Sequence, residues 1–405
     1  MSFRAKAFLS ATFLSTFGDT LAVTAIPFGV GLETGNINFT VIFWLVPALA
    51  VLAASFLGNR VRRRTASART DYARLLLGIA IMEVIIALLA LQLRDRIATL
   101  LLSILFVMAY AFAKEGVPRI LYLVAVYRYF VGPEEYSKLA GRKAGLDIAA
   151  ALGAVLVASL VVAGGTWRYV LLFDALTFVV LAVTIRRLGR DDVTAEPSSA
   201  TPASPEPVRG SAGALRPALI SILIAVPLFH GVNAAFVNYL PLINEQLGIL
   251  AATASIGLLA VLRAPGMLLG LAFGKINELV PLRMWTIGLP VAYVTVAFTY
   301  LASPNIWSVY ALLLLAGLNI GVYNPADTTI RNQIPQDHLV GFNVIVLRWL
   351  GVFQAVACIA AMVVFSSPGV DLRWLGIIVA ASVVGGLLLP VVHSRNPLLK
   401  KAIPA

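Results

Sequence analysis

Asp19, Arg263 and Arg348 are ionic side chains set inside apolar runs long enough to cross a bilayer. They are the residues of this chain best placed to do chemistry. Asp19 sits in the middle of the run 7–31. An unpaired charge at that depth costs at least ~2.5–3.5 kcal/mol, so a retained one is turned toward a partner or a wet path. A carboxylate there can bind a cationic group or take up a proton. Arg263 precedes Pro265-Gly266, where a helix can bend, and Arg348 stands beside Trp349. A guanidinium keeps its charge at any accessible depth. Each arginine therefore needs a substrate carboxylate or phosphate, a protein carboxylate such as Asp19, or carbonyls at a kink. All three options are open.

Further polar groups lie in the same kind of run. His230 and Asn233 fall on one helical face, with Asn238 further along. A histidine there could titrate near physiological pH, or simply be held by a hydrogen bond. Tyr110, Asn319 and Asn324 offer a phenol and two amides, which suit an amphiphilic ligand but also serve as glue between helices. These nine residues are the candidate substrate-binding or coupling positions. Outside that set, Glu83 reads as a proton relay or an interhelical hydrogen bond. Asp147 reads as an ion pair with Arg142 or Lys143, and Asp174 as a helix–helix contact.

The elements that must position these groups follow from composition. Of the 405 residues, 60% are hydrophobic and only 12% charged, and the mean hydropathy is +0.91. A soluble domain cannot bury so much apolar side chain and keep a polar skin. Apolar segments recur at 7–31, 38–58, 73–93, 97–117, 144–164, 169–188, 216–242, 249–274, 284–303, 306–326, 341–366 and 374–392. They predict an all-α membrane protein of twelve transmembrane helices in two six-helix bundles. The Pro-, Ser- and Ala-rich stretch 191–215 is a flexible linker, dividing an N-terminal bundle (1–190) from a C-terminal one (216–405). Asp19 lies eight residues before Pro27 and Asn233 eight before Pro241, as expected of two related halves. Such duplication places a substrate site between the halves near mid-membrane. After the fourth span of each half comes a proline-and-acid loop, with a helix break expected at Pro325. The piece Ile120–Phe130 is too short to span and reads as interfacial.

The net charge of +12 is a matter of topology rather than of nucleic acid. With the N-terminus cytoplasmic, Arg94, Arg96, Arg168 and Arg373 fall outside and Arg263 and Arg348 within spans; all other Lys and Arg lie inside. This positive-inside bias places the chain in the cytoplasmic (inner) membrane with both termini cytoplasmic. The single cysteine, Cys358, excludes an internal disulfide. No HExxH, no GxGxxG and no Cys/His set with metal spacing is present. No catalytic residue, metal or cofactor is expected.

Phe17-Gly18-Asp19, the basic turn Arg60–Arg64, Leu172–Phe178 and Asn324-Pro325-Ala326…Ile334-Pro335 carry a resemblance. Together with the twelve-span duplication, they make the chain similar to major facilitator superfamily transporters. Within that group it is similar to the bacterial drug and siderophore exporters of the enterobactin and macrolide type. The usual Gly, Asp and Gly of the loop signature are replaced by Ser55, Asn59 and Arg62. The fifth-span Gly-Pro…Gly-Gly signature of drug–proton antiporters reads Gly153-Ala154-Val155-Leu156-Val157-Ala158. The resemblance implies a monomeric secondary transporter working by alternating access on a small amphiphilic or anionic solute. Efflux, with protons as coupling ion through Asp19, is the favoured reading. Import of an organic solute and a non-transporting membrane sensor remain alternatives.

Overall fold

The computed structural model of the chain describes residues 3–36, 38–61, 68–92, 96–112, 136–188, 225, 237–240, 244, 252–272, 279–280, 282–333, 336–366, 371 and 373–394. Among the described residues all regular structure is helical. These residues form eleven α-helices: α1 (Phe3–Thr34), α2 (Asn38–Val61), α3 (Ala68–Gln92), α4 (Arg96–Tyr110), α5 (Tyr136–Ala163), α6 (Val170–Leu188), α7 (Ala252–Leu268), α8 (Leu282–Ala302), α9 (Ile306–Gln333), α10 (Gln336–Ser366) and α11 (Arg373–Ser394). Short 3-10 turns occur at Trp167–Tyr169 and Leu269–Ala272. Eight of the described helices are long and apolar enough to cross a membrane, and three shorter apolar ones cover 97–110, 253–268 and 373–388. Most of the expected seventh span, the 191–215 linker and Ile120–Phe130 lie outside the described residues.

Helices are the answer these segments must give, because hydrocarbon offers no partner to a backbone N–H or C=O. The same constraint corrects one expectation. No break occurs at Pro325: α9 runs through it to Gln333, and α10 begins at Gln336. Pro325 is buried. Staying helical there forfeits one hydrogen bond, whereas leaving the helix would orphan several. Pro27, Pro47, Pro265 and Pro290 are likewise inside helices. Where α1 does stop, Gly35 takes φ 69°, a left-handed cap that a residue with a Cβ adopts only under strain.

Outward faces carry bare apolar side chains such as Ile81, Leu101, Leu160, Phe298 and Trp307, all exposed. Inward, α1 packs on α5 and α6, and α3 on α6 and α4. In the later part of the chain, α7 packs on α9, and α8 on α11 and α9. The two sets meet along α2–α10 and α5–α7.

The α7–α9 crossing is close enough to need glycine. A Cβ on Gly266 would lie 2.0 Å from the Leu318 amide nitrogen, and one on Gly321 1.8 Å from the Gly266 carbonyl oxygen. Backbone cannot yield as a side-chain tip can, so Gly321→Leu should lower the thermal midpoint in detergent, with an overpacking cost of about 1–3 kcal/mol or more. Gly288, with open space around its would-be Cβ, is the control. Gly288→Ala should hold or raise the midpoint, by up to about 1 kcal/mol of helix propensity. A Gly321→Leu protein melting like wild type would contradict the crossing.

Candidate functional site

Asp19 lies midway along α1 and is 9% exposed. The Tyr110 hydroxyl, at the end of α4, donates a 2.7 Å hydrogen bond to its Oδ1. Two of the nine candidate residues, ninety-one positions apart in sequence, are thus in direct contact. The Tyr110 ring is fixed by Phe106 (centroids 5.8 Å apart) and Phe178 of α6 (6.2 Å). Local sequence explains why Asp19 can reach it. The neighbouring Gly18 has no side chain, so α1 settles against α6; a Cβ there would lie 2.7 Å from both Asp174 Oδ1 and Thr177 Oγ1. One helical step around, Asp19 turns to α4 instead.

A second polar group forms in the later helices. Tyr293 of α8, fully buried, stands beside both Arg263 of α7 and Asn319 of α9. Asn319 Nδ2 donates to the Ala225 carbonyl at 3.0 Å. The structure therefore brings Arg263 and Asn319 to one place, around a tyrosine that sequence reasoning did not single out. Arg263 also sits at the tight crossing, where a Cβ on Gly317 would lie 2.5 Å from its carbonyl oxygen.

The third group occupies the α2–α10 seam. The Arg348 guanidinium on α10 lies 4.5 Å over the Phe56 ring of α2, and its Nε makes no hydrogen bond. A cation on an aromatic face keeps some electrostatic compensation while leaving its N–H donors available. Nearer the end of α10, Asn38 Nδ2 donates to Ser366 Oγ at 3.4 Å and Tyr239 Oη donates to Asn38 Oδ1 at 2.7 Å. Tyr239 also stacks on Phe365, with centroids 3.4 Å apart. Thr40 Oγ1 donates to the backbone carbonyl of Asn238 at 3.3 Å, while the buried Asn238 side chain makes no hydrogen bond. Gln354 Nε2 donates to the Trp44 carbonyl at 3.0 Å. Asn238 thus reaches the seam through its backbone.

Of the remaining candidates, Asn324 is exposed on α9, and His230 and Asn233 lie outside the described residues. Asp147 pairs with Lys143, the ion pair expected of it. Asp174 makes the expected helix contact, against α1 at Gly18. Arg168 binds Glu33 and stands over Trp167, closing the end of α1 against the first 3-10 turn. No group of three or more His, Cys, Asp or Glu suited to a metal ion occurs among the described residues.

Several solved structures share this fold. A bacterial homologue of the iron transporter ferroportin in its outward-facing state is 16% identical and aligns over 97% of this chain and 99% of its own, with a TM-score of 0.69. The human organic anion transporter MFSD10 is 15% identical over 96% and 99%, at 0.60. The nucleoside transporter NupG is 13% identical over 97% and 100%, at 0.57. At such identities the likeness is one of fold. No curated protein matches the sequence. The sequence model of the Major Facilitator Superfamily matches residues 8–365, nearly the whole helical part. With the helical architecture just described, that match makes the chain a member of the Major Facilitator Superfamily.

Proposed function

We propose that this protein is a proton-coupled exporter of a small amphiphilic or anionic organic solute. In this reading it is a monomer in the cytoplasmic membrane with both termini inside. Its two bundles, 1–190 and 216–405, rock about a shared site. The observation that carries the reading is the Asp19–Tyr110 hydrogen bond, a carboxyl at mid-membrane held by a neutral donor. A phenol stabilises a carboxylate through O–H···O⁻ and tolerates its protonated form at small cost. Asp19 can therefore change charge without either helix losing its partner. That property suits a coupling group.

Arg263 and Arg348 supply the affinity for an anionic or amphiphilic ligand. Arg348 in particular combines a charge, an Nε donor that makes no hydrogen bond and the Phe56 ring. Among proteins of similar fold, cargoes named as iron, nucleosides and organic anions are carried. The last class is the one the arginines favour.

Three outcomes follow. In proteoliposomes under an imposed pH gradient, wild-type transport should follow the gradient, and Asp19→Asn should lose that dependence while remaining folded. Transport indifferent to the gradient in both proteins removes the proton. Arg348→Gln should raise KM for an anionic substrate about tenfold or more, a loss of roughly 1.4 kcal/mol, and Arg348→Lys should recover only part. Equal KM for all three removes Arg348 from the site. Finally, cysteines at 38 and 366, in a chain whose buried Cys358 is replaced by serine, should cross-link and stop transport until reduced. Undiminished transport by the cross-linked protein contradicts a seam that must open.

A further inference from the structure

The Arg348–Phe56 contact closes the α2–α10 seam at the end next to the α2–α3 turn. Antiparallel packing pairs Asn38 with Ser366 at one end of the seam and Phe56 with Arg348 toward the other. The apolar stretch of α2, 38–56, finishes on Phe56, and that of α10 opens at Val344, four residues or about 6 Å before Arg348. Both residues therefore stand near the edge of the hydrocarbon, within the distance over which an arginine extends its head to the interface.

The pair also looks outward. Phe56 is 61% exposed, and Leu49, seven residues earlier on the same side of α2, is exposed as well. On α10, Ile359 is exposed eleven residues from Arg348, three helical turns, and so on its side, with exposed Val356 and Val363 nearby. All of these exposed side chains are apolar, the composition of a face turned to acyl chains. The Arg348 guanidinium lies 4.5 Å over a ring that belongs to that face.

No carboxylate of the neighbouring helices is placed to neutralise it. α2 carries none, and α10 only Asp337, eleven residues or about 16 Å from Arg348 along the axis. The helices packed on these two are α1, α4 and α11. Of them, α4 and α11 have no acid, while on α1 Asp19 accepts from Tyr110 and Glu33 pairs with Arg168. The counter-charge must then come from outside the chain, and at this depth the abundant anion is lipid phosphate. A guanidinium takes two phosphate oxygens at once. In sequence, Arg60, Arg62, Arg63 and Arg64 follow Phe56 closely, a cluster that draws anionic headgroups.

We propose that Arg348 and Phe56 form a binding site for an anionic phospholipid of the leaflet next to the α2–α3 turn, its phosphate on the guanidinium and its acyl chain along the exposed ring. A lipid held by α10 against α2 braces the seam that the two halves share. Any effect on transport rests on the alternating-access reading above, and an anionic solute would meet this guanidinium in competition with the lipid; the site itself needs neither.

Native mass spectrometry of the full chain in detergent, with no solute and no gradient, tests the site. Offered equal amounts of phosphatidylglycerol and phosphatidylcholine, wild type should retain the anionic lipid in excess. Arg348→Gln should cut that bound fraction about fivefold or more, with Arg348→Lys in between, since an ammonium lacks the bidentate fork. Arg373→Gln, an exposed arginine at the start of α11, should leave it unchanged. Equal retention of the two lipids by wild type overturns the proposal, whether or not the variants fold, as does equal retention of phosphatidylglycerol by wild type and Arg348→Gln. Inorganic phosphate should leave the lipid in place; displacement by it overturns a lipid as the occupant. Because no arm involves solute or protons, failure here leaves the export reading to its own experiments.

Discussion

Hydrocarbon tolerates a carboxyl only when something polar meets it, and the Asp19–Tyr110 hydrogen bond is one contact by which this chain meets that rule midway along α1. Much of the surrounding packing exists to allow it. Gly18 removes the side chain that would hold α1 off α6, and Phe106 and Phe178 fix the tyrosine ring. The result is a titratable group on a rigid support with a partner indifferent to its charge. Function, in this view, comes from a bond of moderate strength.

The later helices answer with opposite polarity. Arg263 is gathered with Tyr293 and Asn319 where glycines let α7 and α9 nearly touch, and Arg348 lies on Phe56 across the α2–α10 seam. The seam itself is a mixture. Apolar contacts such as Val51 with Val344 and Leu347 give it area, while single hydrogen bonds from Asn38, Thr40, Tyr239 and Gln354 give it register. Each such bond contributes only about 0.5–1.5 kcal/mol net, so a seam of this kind can part at modest cost.

Helix placement was legible in the sequence because lipid enforces one rule, an apolar run of about twenty residues satisfied internally. Asp19, Arg263 and Arg348 stood out for the same reason. Pairings were less legible, since contact between α1 and α4 depends on how whole helices stack. That Tyr110 would reach Asp19 had no local signal, although both belonged to the candidate set. Tyr293 and Phe56 were passed over because aromatic side chains, buried or on the outer face, are ordinary in membrane helices. Pro325 misled because a proline removes only one helical hydrogen bond, and a buried apolar helix keeps the rest by running through it.

The central claim is that Asp19 stands on a path that water reaches during the working cycle. A single cysteine at position 19, in a chain with Cys358 replaced by serine, reports on this directly through its rate of modification by a small polar thiol reagent. The account predicts modification that changes in rate when substrate or an imposed pH gradient shifts the conformational balance. A thiol at 19 inert under every condition, while a surface thiol on the same protein reacts, would contradict it.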